Sequence, residues 1–312
     1  MLTVRPELAG LRLDRWLTEE LPRLSRTRAH EICARLAYDP QGRPRRPSHR
    51  VAAGEVVVLF RPRWEEPPVP REVPVLWEDA HLLAVDKPAG LPVHPSARYF
   101  HNTLTAVLAA RYPTERVVLG HRLDRETSGL LLAARTREAE RALKRAFAER
   151  AVHKTYEALV HGVVTEDRFT VDAPVGYVGG AVGVRMGVLP LSAGALPAVT
   201  RFEVLERLQG FTRVVCHPET GRQHQLRVHL AHAGHPIVGD KLYAHGDAMF
   251  LACIQGDAPE EALRALLLPR QALHARAVAL AHPVTREPLS LEAPLPEDLR
   301  AFGERHRVGG QR

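Results

Sequence analysis

Long apolar runs are missing from this 312-residue chain, and no stretch is long enough to span a bilayer as a helix. That excludes an integral helical membrane protein. The first residues, Met1 to Glu7, lack the charged, apolar and small-residue regions of a secretion signal. A cytoplasmic protein is expected. Cysteine is scarce: Cys33, Cys216 and Cys253 are far apart and odd in number. They offer neither a disulfide framework nor a zinc spacing, so reduced structural thiols are the default. Lysine is nearly absent, with only Lys87, Lys144, Lys154 and Lys241. No internal repeat or low-complexity tract stands out. His224, His229, His232 and His235 cluster, but the glutamate that zinc hydrolases place between paired histidines is missing. No metal is expected.

What remains is an ordinary globular composition, 45% hydrophobic and 25% charged, long enough for roughly two domains. The formal charge is +7 and nearly all of the basic residues are arginine. Arginine donates in pairs to phosphate and stacks on bases, although a GC-rich genome also enriches it. The distribution says more than the total. Residues 1–61 hold 12 arginines against 7 acidic residues and so carry +5 of the +7. A small basic module suits an acidic polymer.

In that module Leu13, Trp16 and Leu17 have helical spacing. Ser25 can cap a second helix whose apolar face is Ile32, Cys33 and Leu36. Gly54 precedes a strand over 55–60. The next stretch, 62–74, holds Pro62, Pro67, Pro68, Pro70 and Pro74 and is expected to be a stiff extended linker. A larger domain over 75–300 follows, then a polar tail over 301–312 that is expected to fray. Strands are predicted at 81–85, 130–134, 153–160, 199–205 and 211–216, and around Leu273-His274-Ala275. Helices are predicted at 103–112, at 136–150 behind Thr136, and around Leu226 and Leu230. Lys87 lies in a proline-rich loop, where it either touches phosphate or is solvated.

One stretch organises the rest: His121-Arg122-Leu123-Asp124-Arg125-Glu126-Thr127-Ser128-Gly129-Leu130. Asp124 sits between arginines at the mouth of a buried strand. A carboxylate so placed stays ionised at neutral pH, which suits a nucleophile or general base. A local Asp–Arg pair on a surface loop would look the same. Tyr156 shares a strand face with Ala158 and Val160, its hydroxyl toward the wet end. Arg222 falls at a helix start, where free N–H groups favour anions; Arg227 is one and a half turns on.

Two resemblances follow from these residues. Arg12-Leu13-Asp14-Arg15-Trp16-Leu17, Leu24-Ser25-Arg26-Thr27-Arg28 and Pro47-Ser48-His49-Arg50-Val51 resemble the alpha-L RNA-binding domain. Asp39-Pro40-Gln41-Gly42-Arg43 replaces the Val-Asn-Gly turn usual there. The second resemblance is to the RluA-type pseudouridine synthases, and runs from about Leu82 to about Glu292. It is carried by His121-Arg122-Leu123-Asp124 with Thr127-Ser128-Gly129-Leu130, by Lys154-Thr155-Tyr156-Glu157-Ala158-Leu159-Val160, and by Thr220-Gly221-Arg222-Gln223-His224-Gln225-Leu226-Arg227-Val228-His229 with Gly234-His235-Pro236-Ile237-Val238-Gly239-Asp240.

This resemblance implies an α+β fold, a mixed and largely antiparallel sheet with flanking helices, behind a small N-terminal α/β RNA-binding domain. It implies an enzyme isomerising uridine to pseudouridine in ribosomal or transfer RNA, without metal or cofactor. Asp124 would be the essential carboxylate, Tyr156 would stack on the base, and Arg222 would pair with Asp124. Leu226 would wall the uracil pocket, and Arg122 would fill the gap left by the flipped nucleotide. His121, Lys154 and Arg227 would also face RNA. The competing readings are a non-catalytic RNA-binding or assembly factor on the same fold, and a metal hydrolase. RNA is the expected partner; no protein partner is evident, and a monomer is expected.

Overall fold

The computed structural model describes residues 1–22, 24–60, 66–96 and 98–308. The chain forms two compact units, Met1–Glu65 and Glu66–Arg312. In the first, β1 (Leu2–Thr3), β2 (Ala37–Tyr38) and β3 (Val56–Leu59) form a small antiparallel sheet in the order β1-β3-β2. Helices α1 (Leu13–Glu20) and α2 (Arg26–Leu36) pack with it around Leu13, Trp16, Leu17, Cys33 and Val57. Ser25 caps α2 by accepting from the Arg28 N–H at 3.3 Å. The Asp39 turn is closed by its own carboxylate, which accepts from Gln41 N at 3.0 Å and Arg43 N at 2.8 Å. The unusual turn sequence therefore still makes a tight turn.

Residues 61–65 of the expected linker lie outside the described residues. Residues 66–74 are extended, as their prolines require, but they are no free spacer. Glu66 accepts from His101 N and Asn102 N, both at 2.7 Å, and Val73 is buried in the core of the second unit. The segment thus belongs to that unit. Proline forbids a helix there without forbidding packing.

The second unit contains β4 (Val75–Glu78), β5 (Leu82–Lys87), α3 (Leu104–Arg111), β6 (Val118–Leu119), β7 (Ser128–Ala134), α4 (Arg137–Ala148), β8 (His153–His161) and β9 (Arg168–Asp172). It continues with β10 (Val175–Tyr177), β11 (Met186–Val188), β12 (Val199–Arg207), β13 (Phe211–Pro218), α5 (Gln225–His232), α6 (Gly246–Gln255), α7 (Glu260–Ala265), β14 (Leu273–Ala281), β15 (Pro288–Glu292) and α8 (Glu297–Arg305). A ten-stranded sheet runs β4-β5-β7-β14-β8-β13-β12-β9, with β6 on β7 and β15 on β14. All its pairs are antiparallel except β7 with β14. Strands β10 and β11 form a separate hairpin. The expected α+β class, with a mixed and largely antiparallel sheet, is what the chain adopts.

Every residue of β7 is buried, which explains its unbroken apolar run: the strand is central and covered on both faces. Register then brings distant motifs together. Gly129 pairs with Ala275, Ala275 with Tyr156, and Tyr156 with Cys216, one row across the middle of the sheet. Asp124 enters from the loop before β7; Arg222 and His224 come from the loop after β13. Gly129 has φ +111, and a Cβ there would overlap the backbone carbonyl of Ala275. Both strain and overlap resist substitution. Gly129→Ala should cost about 3 kcal/mol or more, read as a lower midpoint of urea unfolding. An unchanged midpoint would show that this row is not tightly packed.

The C-terminal segment differs from expectation. Helix α8 runs to Arg305, past the start assigned to a fraying tail, and Leu299 and Phe302 are buried. Phe302 meets Phe211 edge-on at 5.1 Å and stacks on His306 at 4.2 Å. Leu299, Phe302 and His306 recur at helical spacing, so one face docks while the polar residues stay outside.

Candidate active site

The loop that carries Asp124 is fixed mainly through its backbone. Lys87 is fully buried at the end of β5. Its ammonium donates to the carbonyls of Pro88 at 2.8 Å, Leu91 at 3.0 Å and Arg125 at 3.1 Å. It is neither solvated nor free to touch phosphate, the two readings its loop composition allowed. Burial pushes its pKa down to about 7, against the pull of Asp124. Gly90 N also donates to the Arg125 carbonyl at 2.8 Å. Lys241 grips the Glu126 carboxylate at 2.8 and 2.9 Å. Lys87→Met should strand the Pro88 and Leu91 carbonyls, at about 1–3 kcal/mol for each that stays unpaired, while the Arg125 carbonyl keeps Gly90 N. Both the melting temperature and the turnover rate should fall; a variant with unchanged turnover would separate Lys87 from the placement of Asp124.

Asp124 Oδ2 lies 3.0 Å from Arg227 Nη1, 3.5 Å from Gln271 Nε2 and 3.9 Å from His224 Nε2. Arg227 is buried and also forms a two-pronged pair with Asp240, at 2.6 and 2.9 Å. Asp240 is itself fully buried and accepts from the N–H groups of Leu242 and Tyr243, both at 3.0 Å. One guanidinium thus bridges two carboxylates, of which only Asp124, with 23% of its side chain exposed, reaches the cleft. Burial alone would raise the Asp124 carboxyl. The charges of His224, when protonated, and of Arg227, together with hydrogen bonds from Arg227 and Gln271, hold it below the ordinary carboxylate range. His224 is pushed down to about 4, by burial first and then by Arg227, so at neutral pH the guanidinium supplies the charge.

The guanidinium on Asp124 is therefore that of Arg227, and the pairing expected for Arg222 is corrected. Arg222 Nε donates to the Pro197 carbonyl at 3.1 Å. The physical reason is where the helix starts. His224 takes a left-handed backbone, φ 55, and α5 begins only at Gln225. Gln225 Oε1 accepts from Arg222 N at 2.9 Å and from Thr220 Oγ1 at 2.7 Å. The turn before α5 is thereby closed by its own side chain, and Arg227 falls in the helix's first turn. Arg222 still lines the cleft.

Tyr156 and Leu226 line the same pocket as Asp124. Burial, and then the charge of Asp124, raise the Tyr156 hydroxyl above its usual range, so it remains a phenol. The pocket opens into a cleft of about 500 Å³ lined by Arg122, Arg150, Lys154 and Arg222. Arg122 is exposed. No carboxylate pairs with Arg122, Arg150 or Lys154 among the described residues, an arrangement suited to phosphate. His121 lines this cleft, but its Nε2 accepts from Leu132 N at 3.1 Å and its ring lies 4.9 Å from Phe147. Its ring nitrogen is thus engaged with β7. His229 is tied to Thr200 Oγ1 and the Ala173 carbonyl, both at 2.9 Å. Among the described residues no cluster could hold a metal ion, and no helix is long and apolar enough to cross a membrane.

Sequence reasoning missed Asp240, Gln271 and Tyr243 as neighbours of this site, and read His224 as a satisfied or phosphate-facing histidine rather than a metal ligand, without placing it beside Asp124. Asp240 was visible as the end of a motif. Gln271 carries no local signal.

A model of the RNA pseudouridylate synthase family matches residues 81–232. The chain is 37% identical to ribosomal large subunit pseudouridine synthase D of Neisseria meningitidis serogroup B, over 96% of this chain and 79% of that protein. It is 38% identical to the protein of the same name in Pseudomonas aeruginosa, over 94% and 91%. Among solved structures, human RNA pseudouridylate synthase domain containing 4 is similar with a TM-score of 0.59 and 28% identity, covering 76% of this chain and 94% of that one. With more than a third of its residues shared over so much of both sequences, the chain belongs to the RluA-type RNA pseudouridine synthases, enzymes that isomerise uridine to pseudouridine.

Proposed function

We propose that the protein isomerises uridine in large-subunit ribosomal RNA, with Asp124 as the reacting carboxylate. The observation that carries this assignment is the 3.0 Å bond from the buried Arg227 to a carboxylate that still opens on a cleft. The names of the relatives supply the class of RNA. The target nucleotide leaves its stack, which costs a few kcal/mol. Arg122, exposed at the lip, takes its place, and Tyr156 receives the base against Leu226. Asp124 then acts on the sugar, by attack on C1′ or by removal of a sugar proton; both need the ionised form. The N1–C1′ bond breaks, the uracil turns within the pocket, and a C5–C1′ bond forms. C5 loses its proton and N1 gains one, so the reaction is balanced without cofactor.

Arg150, Lys154 and Arg222 hold phosphates flanking the target, and the basic N-terminal unit adds a second grip on RNA. Binding therefore weakens as salt rises. The enzyme works in the cytoplasm, where ribosomes are assembled. Pseudouridine mapping of total RNA from cells lacking the protein tests the assignment. One or more ribosomal uridines should stay unmodified and regain modification when the wild-type protein is restored. A modification pattern identical to that of the parent cells would end this reading.

A further inference from the structure

We propose that His224 is a hydrogen-bond donor to the flipped uridine through Nε2, held in that tautomer by the Tyr243 hydroxyl; this rests on the cleft being the uridine pocket. His224 Nδ1 lies 2.9 Å from Tyr243 Oη. That oxygen already accepts from the Met186 N–H at 3.1 Å. Among the described residues, the only acceptor within reach of the hydroxyl hydrogen is therefore His224 Nδ1. The opposite tautomer would aim a ring N–H at the same oxygen and leave the hydroxyl hydrogen without a partner, a costly state for a half-buried group. Nδ1 accepts, so Nε2 carries the hydrogen.

Nε2 stands 3.9 Å from Asp124 Oδ2, too far for a direct hydrogen bond. The donor faces the pocket that Asp124 also lines. The groups facing the ring are Arg227, Arg122, Asp124 and Asp240, and burial keeps the imidazole neutral near pH 7. The backbone of His224 is left-handed, φ 55, a conformation in which histidine is one of the commoner side chains. When the N1–C1′ bond breaks, negative charge spreads onto the uracil oxygens. A fixed N–H donor at that place is stronger in the transition state than in the ground state. Tyr243 acts as a positioning residue, and the guanidinium of Arg227 lies over its ring at 4.8 Å.

Two measurements on the full-length protein test this. Nitrogen-15 NMR of labelled histidine should show His224 as the Nε2-protonated tautomer in the free enzyme, and Tyr243→Phe should erase that preference. In kinetics, His224→Ala should lose about 100-fold in kcat with little change in KM. His224→Gln, whose amide N–H can stand in, should recover to within about tenfold of wild type. An Nδ1-protonated ring, or a His224→Ala enzyme with unchanged kcat, overturns the proposal while leaving the isomerase assignment intact. A wild-type protein inactive on every RNA overturns the isomerase assignment and this proposal with it, whatever the tautomer.

Discussion

Asp124→Asn should lower isomerisation by about four orders of magnitude or more, while RNA affinity stays within about threefold of wild type or improves slightly. Asparagine has the same shape and keeps an oxygen for Arg227, so the pocket need not move. What it lacks is a negative charge that can attack the sugar or take its proton. On the proposed binding mode, affinity comes from the unpaired cations of the cleft, which the substitution does not touch, and the removed charge is one that repels phosphate. Release of tritium from C5-labelled uridine in RNA measures the reaction; a filter-binding titration at fixed salt measures affinity. A variant with activity within about tenfold of wild type would show that Asp124 is not the reacting group.

Arg227→Met should be damaging in two ways. It leaves Asp240 buried with no cation and frees Asp124 from its partner. Breaking a buried pair by removing one member costs about 3–5 kcal/mol, a large part of the stability of a typical domain. The folded-state pKa values of Asp124 and Asp240 both lie below their ordinary values, where burial would raise them and Arg227 reverses this. The sign follows: stability from these carboxylates is fully present above their unfolded pKa and is lost as pH falls through the lower folded values. Acid should therefore begin to weaken the wild type as pH falls into the usual carboxylate range, and the loss should be complete only below the lowered folded values. In Arg227→Met burial is no longer opposed by the guanidinium, so the acid-linked loss of stability should shrink or reverse, while the acid limb of kcat should move to higher pH. Adding Asp240→Asn should restore part of the stability without restoring turnover. If the single variant unfolds at the wild-type urea midpoint, the bridging geometry is not holding the site together. Arg222→Met, by contrast, should leave the acid limb where it is, because its guanidinium bonds Pro197 rather than Asp124.

The legible parts of this protein were those written in short-range pattern. The unbroken apolar run of β7 and the caps Ser25 and Thr136 each follow from local chemistry, whereas β8 is a strand without the expected alternation, because Glu157 to Val160 are all buried. The site was partly legible because its motifs contain polar residues that packing does not need. The choice between Arg222 and Arg227 was not legible. It turns on a left-handed histidine that delays the helix, and on Asp240, which lies 13 residues further along. Neither is fixed by periodicity. Lys87 was misjudged because its surroundings are rich in proline and look like a surface loop. Its fate was decided by three carbonyls gathered from separate turns. The docked face of α8 was hidden in a segment whose overall composition is polar.

Because the loop around Asp124 is tethered through the main-chain oxygen of Arg125, the exposed side chain of Arg122 contributes little to holding it. The side chain at position 122, at the lip of the cleft, can therefore be exchanged while the carboxylate keeps its post.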